Sequence, residues 1–431
     1  MLRKFVVDHP WSTHLQEHLT GWITPDGGLC EYSTPEIGRI EGRCFRDLAS
    51  ITPYLLLLGD RQALARLYDA AERQTADGLL VEGRRAASRD NHGYVLSFYL
   101  LYRLTGEEKW RSAFLQRCSV LRRLFFRDSF PPACAWPNGR SGAGRSASSY
   151  GLLELFCLAH QCDPSGEWLA VISDQVPHIA KILKRQSRRV MPRRALRLMG
   201  FTLFDRRPGA LFARLFKDNS NLVYSLVSYH RISGDRLALH VLRQLIEAID
   251  RTFLGRGDGW ANTELWNALG YQRATTPLLL GNAFAIDLCH VVAASPEFGS
   301  ALRTKKAGSF IDGPLSAIER GGTLALAPST AAQHLGMIAD FVTAAFLWLS
   351  AQGRQPAAET VLERGFAAVE RHRTRGGLAT LTGSKGPGDT VCTKYNFQVL
   401  KLLVCHYLLK HGPALSPADR SFIAEIFLID R

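Results

Sequence analysis

Three features of the sequence predict an all-α fold, an (α/α) toroid of six to seven helical hairpins. Apolar residues recur at helical spacing along most of the chain, while strand-like alternation is nearly absent. A loose repeat returns at intervals of roughly 45 to 70 residues, an apolar helix followed by a short Gly- or Asp-containing turn and a second helix. Within each pair the first helix is apolar on all sides and the second on one face only, as expected of an inner and an outer ring.

The hairpins follow in order. "CFRDLASITPYLLLLGDRQALARLYDAAERQ" is the first copy, and "YVLSFYLLYRLTGEEKWRSAFLQRCSVLRRLF" the second. "YGLLELFCLAHQCDPSGEWLAVISDQVPHIAKIL" is the third, "NLVYSLVSYHRISGDRLALHVLRQLIEAID" the fourth and "LGNAFAIDLCHVVAASPEFGSAL" a shorter fifth. "GMIADFVTAAFLWLSAQGRQPAAETVLERGFAAVERH" and "YNFQVLKLLVCHYLLKHGPALSPADRSFIAEIF" complete the series. A helical solenoid has similar repeats. The long Gly-, Trp- and Asn-rich connections before several inner helices favour the toroid, where such loops gather on one rim around a central cleft. One toroid domain over residues 1–431 is the expected organisation.

With 431 residues, 46% of them hydrophobic, the chain can bury a large core, and its composition excludes disorder. No run of about 18 uncharged apolar residues occurs, so no transmembrane segment is expected. The N-terminus lacks a signal-peptide pattern. As written, this points to the cytoplasm, and a leader removed from the chain would make it periplasmic or secreted. Nine cysteines, an odd number without CxxC spacing, favour free buried thiols over disulfides or a cysteine zinc site.

The net charge of +14 is uneven: residues 181–217 hold twelve Lys or Arg against one acid, Asp205. Such a segment is a solvated basic face, a wall for a polyanion, or a peripheral membrane contact through its interleaved Leu, Met and Phe. Nothing points to nucleic acid, and oligomeric state is open.

Several inner helices open with polar residues. In "SRDNHGYVLSFYLLYRLTG", Arg89, Asp90, Asn91 and His92 stand at the positive end of a helix dipole. Capping by Asp90 or Asn91 accounts for part of this, but not for Arg89 or His92. The next hairpin opens with "WPNGRSGAGRSASSYGLLELF", carrying Arg140, Arg145 and Tyr150. Lys217, Asn219 and Asn221 open the fourth inner helix as sugar-binding groups or caps. Trp260, Trp266, Tyr271 and Arg273 lie in a long loop where aromatic faces suit sugar stacking or anchor the loop. Asn282 precedes the fifth inner helix, His334 begins the sixth, and Lys394, Tyr395 and Asn396 begin the seventh.

Asn91, His92, Arg145 and Tyr150 together suit proton chemistry beside a carboxylate. In β-elimination from a uronate polymer a base takes the C5 proton, an acid serves the departing O4, and donors hold the carboxylate as charge builds on it. No metal or cofactor is needed.

"DNHGYVLSFYLLYRLTG" resembles the Asn-Asn-His-x-Tyr-Trp helix start of α/α-toroid polysaccharide lyases of the alginate lyase type. "WPNGRSGAGRSASSYGLLELF" resembles the basic run and Tyr-bearing helix that follow in those enzymes. The resemblance covers residues 85–165, with Asp90 for the first Asn and Val95 for the Trp. It implies that Asn91 and His92 neutralise the carboxylate and assist proton abstraction, that Arg145 contacts the carboxylate, and that Tyr150 donates to the substrate. The expected partner is an acidic polysaccharide, such as a bacterial capsule or exopolysaccharide. A glycoside hydrolase would instead use Asp90 with Glu264 or Asp287. A C5-epimerase would share the lyase chemistry, and a non-catalytic polyanion-binding scaffold would need neither His92 nor Tyr150.

Overall fold

The structure, a computed structural model, describes residues 1–22, 30–34, 38–41, 44–82, 84–127, 131–132, 134–135, 147–188, 215–255, 257–263, 265–268, 271–274, 277–298, 306–321, 324–375, 377–383, 386–388 and 390–428. The chain begins with α1 (Leu2–Val7) and α2 (Pro10–Trp22). The hairpins follow as α3 (Leu48–Leu58) with α4 (Arg61–Glu72), α5 (Ser88–Thr105) with α6 (Glu108–Phe125), and α7 (Leu153–Cys162) with α8 (Trp168–Arg188). Next come α9 (Phe216–Ser233) with α10 (Arg236–Thr252), α11 (Leu279–Ala293) with α12 (Lys306–Gly321), and α13 (Leu335–Ala351) with α14 (Gln355–Glu370). The last unit is a tandem inner pair, α15 (Thr393–Gln398) and α16 (Leu400–His411), followed by α17 (Pro417–Leu428).

Burial separates two rings as the apolar pattern predicts. In α13 twelve of seventeen residues are buried, all round the helix, whereas α4 buries Ala63, Leu64, Leu67, Tyr68, Ala70 and Ala71 on one face. Each inner helix packs on the next: α3 on α5, α5 on α7, α7 on α9, α9 on α11, α11 on α13 and α13 on α15 and α16. The seventh position meets the first, because α15 also packs on α3. This is the predicted (α/α) toroid, with its core between the rings.

The turn from inner to outer helix is written in the sequence. At "LLGDRQA" Gly59 ends α3 with a φ of +83°, where a side chain would be strained, and Asp60 caps α4 by accepting from the Ala63 N–H at 2.8 Å. "ISGDRLA" repeats the device, Asp235 accepting from Leu237 N–H at 2.7 Å at the start of α10.

The connections before the inner helices differ from the near absence of strands expected. They contain short antiparallel pairs: Thr75–Ala76 with Leu79–Leu80, Ala86–Ala87 with Cys134–Ala135, and Leu265–Ala268 with Tyr271–Ala274. Gln333–His334 pairs with Leu381–Gly383. Pairs of two to four residues leave no periodic signal, and they form because buried loop backbone must find hydrogen-bond partners. Seven of the nine cysteines have described side chains, none of these seven is in a disulfide, and five of them are buried. No helix among the described residues is long and apolar enough to cross a membrane. Of the basic segment, residues 189–214 lie outside the described residues.

Candidate active site

Four inner helices carry an asparagine at the same place, the fourth helical residue, and all four are fully buried: Asn91, Asn219, Asn282 and Asn396. The Asn91 amide accepts from the Leu80 N–H at 2.8 Å and donates to the Leu80 and Ala87 carbonyls at 3.0 and 2.9 Å. Asn396 treats Leu378 and Cys392 in the same way, at 2.8 Å for the accepted bond and 2.9 Å for each donated one. Asn282 accepts from Ala261 N–H at 3.0 Å and donates to Gly259 and Phe310 carbonyls at 2.8 and 2.7 Å, and Asn219 donates to the Leu215 carbonyl at 2.8 Å. Ala87, Leu215 and Cys392 are the N-cap residues of their helices and have no side-chain cap bond. One amide thus ties the preceding loop to the helix start.

This corrects the expectation for Asn91, Asn219 and Asn396. Their amides hold backbone rather than a substrate. The clamp is what positions the residues before it. In α5, α9 and α15 the asparagine follows a cation at the second helical position, giving Arg89-Asp90-Asn91, Lys217-Asp218-Asn219 and Lys394-Tyr395-Asn396.

These cations meet where the inner helices begin. Lys394 Nζ lies 3.0 Å from Asp47 Oδ1, and Lys401 Nζ lies 3.0 Å from Asp340 Oδ1. Arg46 Nη1 approaches Asp90 Oδ1 at 3.9 Å. Gly93 brings Arg46 there: a Cβ at this position would stand 2.0 Å from the Arg46 carbonyl oxygen, so the turn before α3 rests directly on α5. Lys217 is solvent-exposed and has no ion-pair partner within salt-bridge distance among the described residues. Crowding by the surrounding helix starts, with the charges of Lys394 and Arg89, lowers its ammonium below the ordinary lysine value against the pull of Asp47 and Asp340. Burial would depress Lys394 too, but the charge and hydrogen bond of Asp47 hold it above that value. Burial raises the carboxyls of Asp90 and Asp218, opposed in both by Arg89.

His92 lies one helical turn beyond Arg89, on the same face of α5. Its Nε2 is 3.0 Å from Oε2 of Glu154, in the first turn of α7, and both side chains are partly exposed, at 25% and 17%. A carboxylate on one ring nitrogen fixes the imidazole's orientation, which fits a proton-transfer group. His334 caps α13 by accepting from Met337 N–H at 3.4 Å, and its ring meets Tyr395 edge-on at 4.7 Å. Burial lowers the His334 imidazole below the ordinary value.

Other expected residues are placed elsewhere. Tyr150 sits in the Ala147–Leu152 turn with no exposed surface, its hydroxyl 3.4 Å from Gln175 Oε1, so it packs the ring interior and does not meet a substrate. Trp260 is 4% exposed in the loop held by Asn282 and is an anchor, not a stacking platform. Trp266 and Arg273 pair across a hairpin, with side chains outside the described residues. Arg140 and Arg145 also lie outside them, as does Glu264. Asn221 is partly exposed beside Gly151, and Asp287 lies mid-way along α11, away from the helix starts.

Sequence reasoning missed Asp47, Glu154, Asp218 and Asp340. Glu154 had a signal, being the one acid in the otherwise apolar "YGLLELFCLA". Asp47 and Asp340 had none, since their roles come from lysines far away in sequence.

No protein-family model matches the chain, and no curated protein matches it in sequence. Solved structures do resemble it. A cellobiose 2-epimerase from Bacillus thermoamylovorans aligns at a TM-score of 0.52 and 10% identity, covering 94% of this chain and 99% of that one. A D-mannose isomerase gives 0.52 and 14%, covering 94% and 98%, and an inactive variant of a Salegentibacter α-1,6-mannanase gives 0.51 and 9%, covering 95% and 99%. At such identities the likeness is one of fold, and what it establishes is that this chain has the α/α-toroid architecture found in these enzymes.

Proposed function

We propose that the protein is a carbohydrate-active enzyme acting on an acidic glycan by proton transfer at the sugar carbon that bears a carboxylate. The carrying observation is the contact between His92 and Glu154 at 3.0 Å, on the helix that also presents Arg89 toward Lys217. In this reading His92 takes the C5 proton of a uronate and Glu154 stabilises the imidazolium. Lys217, whose neighbouring acids are engaged by Lys394 and Lys401, receives the carboxylate on which charge builds. If the C4–O bond then breaks, the C5 electrons form a C4=C5 double bond, the departing O4 takes the proton held on His92, and the reaction is a polysaccharide lyase's β-elimination. If a proton returns to the other face, it is C5 epimerisation.

A second reading, hydrolysis, is favoured by one observation: Asp90, beside Arg89 on α5, and Asp218, on α9, both have raised carboxyls that the Arg89 charge opposes. One experiment separates the readings. The protein is incubated in D2O with alginate, polygalacturonate, heparan-type and amino-uronate capsule polymers, while ultraviolet absorbance, deuterium at C5 and reducing ends are followed. A rise in absorbance marks the lyase, deuterium without absorbance the epimerase, and both should vanish in His92→Ala. Reducing ends alone, lost in Asp90→Asn and retained in His92→Ala, would replace proton transfer by hydrolysis.

A further inference from the structure

A second cluster lies away from the cleft, on α2. Its sequence "HLQEH" sets His14, Glu17 and His18 at spacings of three and four, which brings all three to one side of a helix. One ligating atom from each lies within 4.8 Å of the other two. The imidazole rings are 4.7 Å apart at 81°, and His14 Nδ1 is 3.9 Å from Glu17 Oε2. The helix is held rigidly. Trp11, Ser12 and Leu15 are buried, and the Trp11 indole N–H donates to Glu370 Oε1 at 2.5 Å. His14 and His18 sit at the edge of that buried stripe, half-buried, with Glu17 exposed beside them and open to solvent.

His14 Nε2 is buried and the ring engages the Gly377 backbone, while Nδ1 faces Glu17, so the imidazole is held with one nitrogen turned toward the cluster.

We infer that His14, Glu17 and His18 form a binding site for a divalent transition ion of the zinc class. Two imidazole nitrogens and one carboxylate oxygen suit Zn2+, Co2+ or Ni2+ and are a poor set for Ca2+ or Mg2+, which take oxygen ligands. Remaining positions are left to water. The ligands come from one helix, and the ion stabilises the folded chain by mass action.

The test uses the full chain, freed of metal by chelator dialysis and then titrated calorimetrically with Zn2+. The expected result is one ion per chain, a rise in Tm with Zn2+ and none with Mg2+, and visible absorption bands on Co2+ loading. His18→Gln and Glu17→Gln, on the partly exposed part of the cluster, should leave the metal-free Tm unchanged, and His18→Gln should weaken Zn2+ binding at least about tenfold. Stoichiometric binding that survives in His18→Gln and in a His14→Gln/His18→Gln double variant would place the ion on other histidines and overturn the assignment. Absence of binding in the unsubstituted chain would do the same. Neither result bears on His92, so the site stands or falls independently of the cleft.

Discussion

His92 and Glu154 act as one unit if proton transfer is the reaction. The carboxylate contributes by orienting and stabilising the imidazole, and an amide in its place keeps the shape without the charge. Glu154→Gln should therefore lower kcat about 10- to 100-fold with KM little changed, and His92→Ala should lower it by about 10²- to 10⁴-fold. Equal kcat in both variants and the parent would remove the pair from the chemistry. Lys217 gives a different signature. Its ammonium is depressed by crowding, Lys394 and Arg89, so it loses its charge at a lower pH than an ordinary lysine. The bound carboxylate favours the charged form, so affinity is full below the depressed pKa and is lost as pH rises through it. KM should thus rise on the alkaline side before ordinary lysines titrate, and Lys217→Met should remove that pH dependence while raising KM throughout. An alkaline limb unchanged in Lys217→Met would assign the carboxylate to another cation. Lys217 was legible in the sequence as a polar helix start. That it stands without an ion-pair partner among the described residues, while Lys394 and Lys401 have theirs, was not, because those partners are set by the ring and not by spacing.

At the scale of the element, the buried asparagines explain why polar helix starts recur. "RDN", "KDN" and "KYN" read as three local motifs, and the sequence suggests capping or substrate contact for each asparagine. Neither is what the structure shows: the amide reaches back to the N-cap carbonyl and, in Asn91 and Asn396, across to a loop peptide eleven or eighteen residues earlier. The helix position was readable, but the loop partner was not, since two-residue strand pairs carry no periodicity. The energetic consequence follows from counting orphaned groups. Asn91→Ala, Asn282→Ala and Asn396→Ala each strip a buried loop N–H and buried carbonyls of their partner, at about 1–3 kcal/mol per group, so each should cost roughly 2–4 kcal/mol in denaturant unfolding. Asn219 likewise donates to its N-cap carbonyl, that of Leu215, and Asn219→Ala should cost at least the stripping of that buried group, about 1–3 kcal/mol. Losses below about 1 kcal/mol at these positions would mean that the asparagines act through packing and not through their amides.

Over the whole molecule, the inner and outer rings were legible because burial on all sides and burial on one face leave different apolar patterns. The charge distribution was legible only in part. The net charge of +14 suggested a basic wall for a polyanion, and the described groups at the helix starts are balanced: Arg46, Arg89, Lys217, Lys394 and Lys401 stand with Asp47, Asp90, Glu154, Asp218 and Asp340. The excess positive charge is carried by residues other than these, among them seven arginines of the 189–214 segment outside the described residues, and the two groups of charge should answer differently to salt. A surface field draws a polyanion from a distance and is screened beyond about 8 Å at physiological ionic strength, whereas a carboxylate held at Lys217 is within contact range and screened far less. Raising NaCl from low to physiological concentration should therefore raise KM for a long uronate polymer several-fold, change KM for a di- or trisaccharide much less, and leave kcat constant for both. Kinetics on the two substrate lengths across a salt series measure this directly. An equal salt response for polymer and oligosaccharide would locate the electrostatic attraction inside the cleft, and an absent response for the polymer would sever the basic surface from substrate capture.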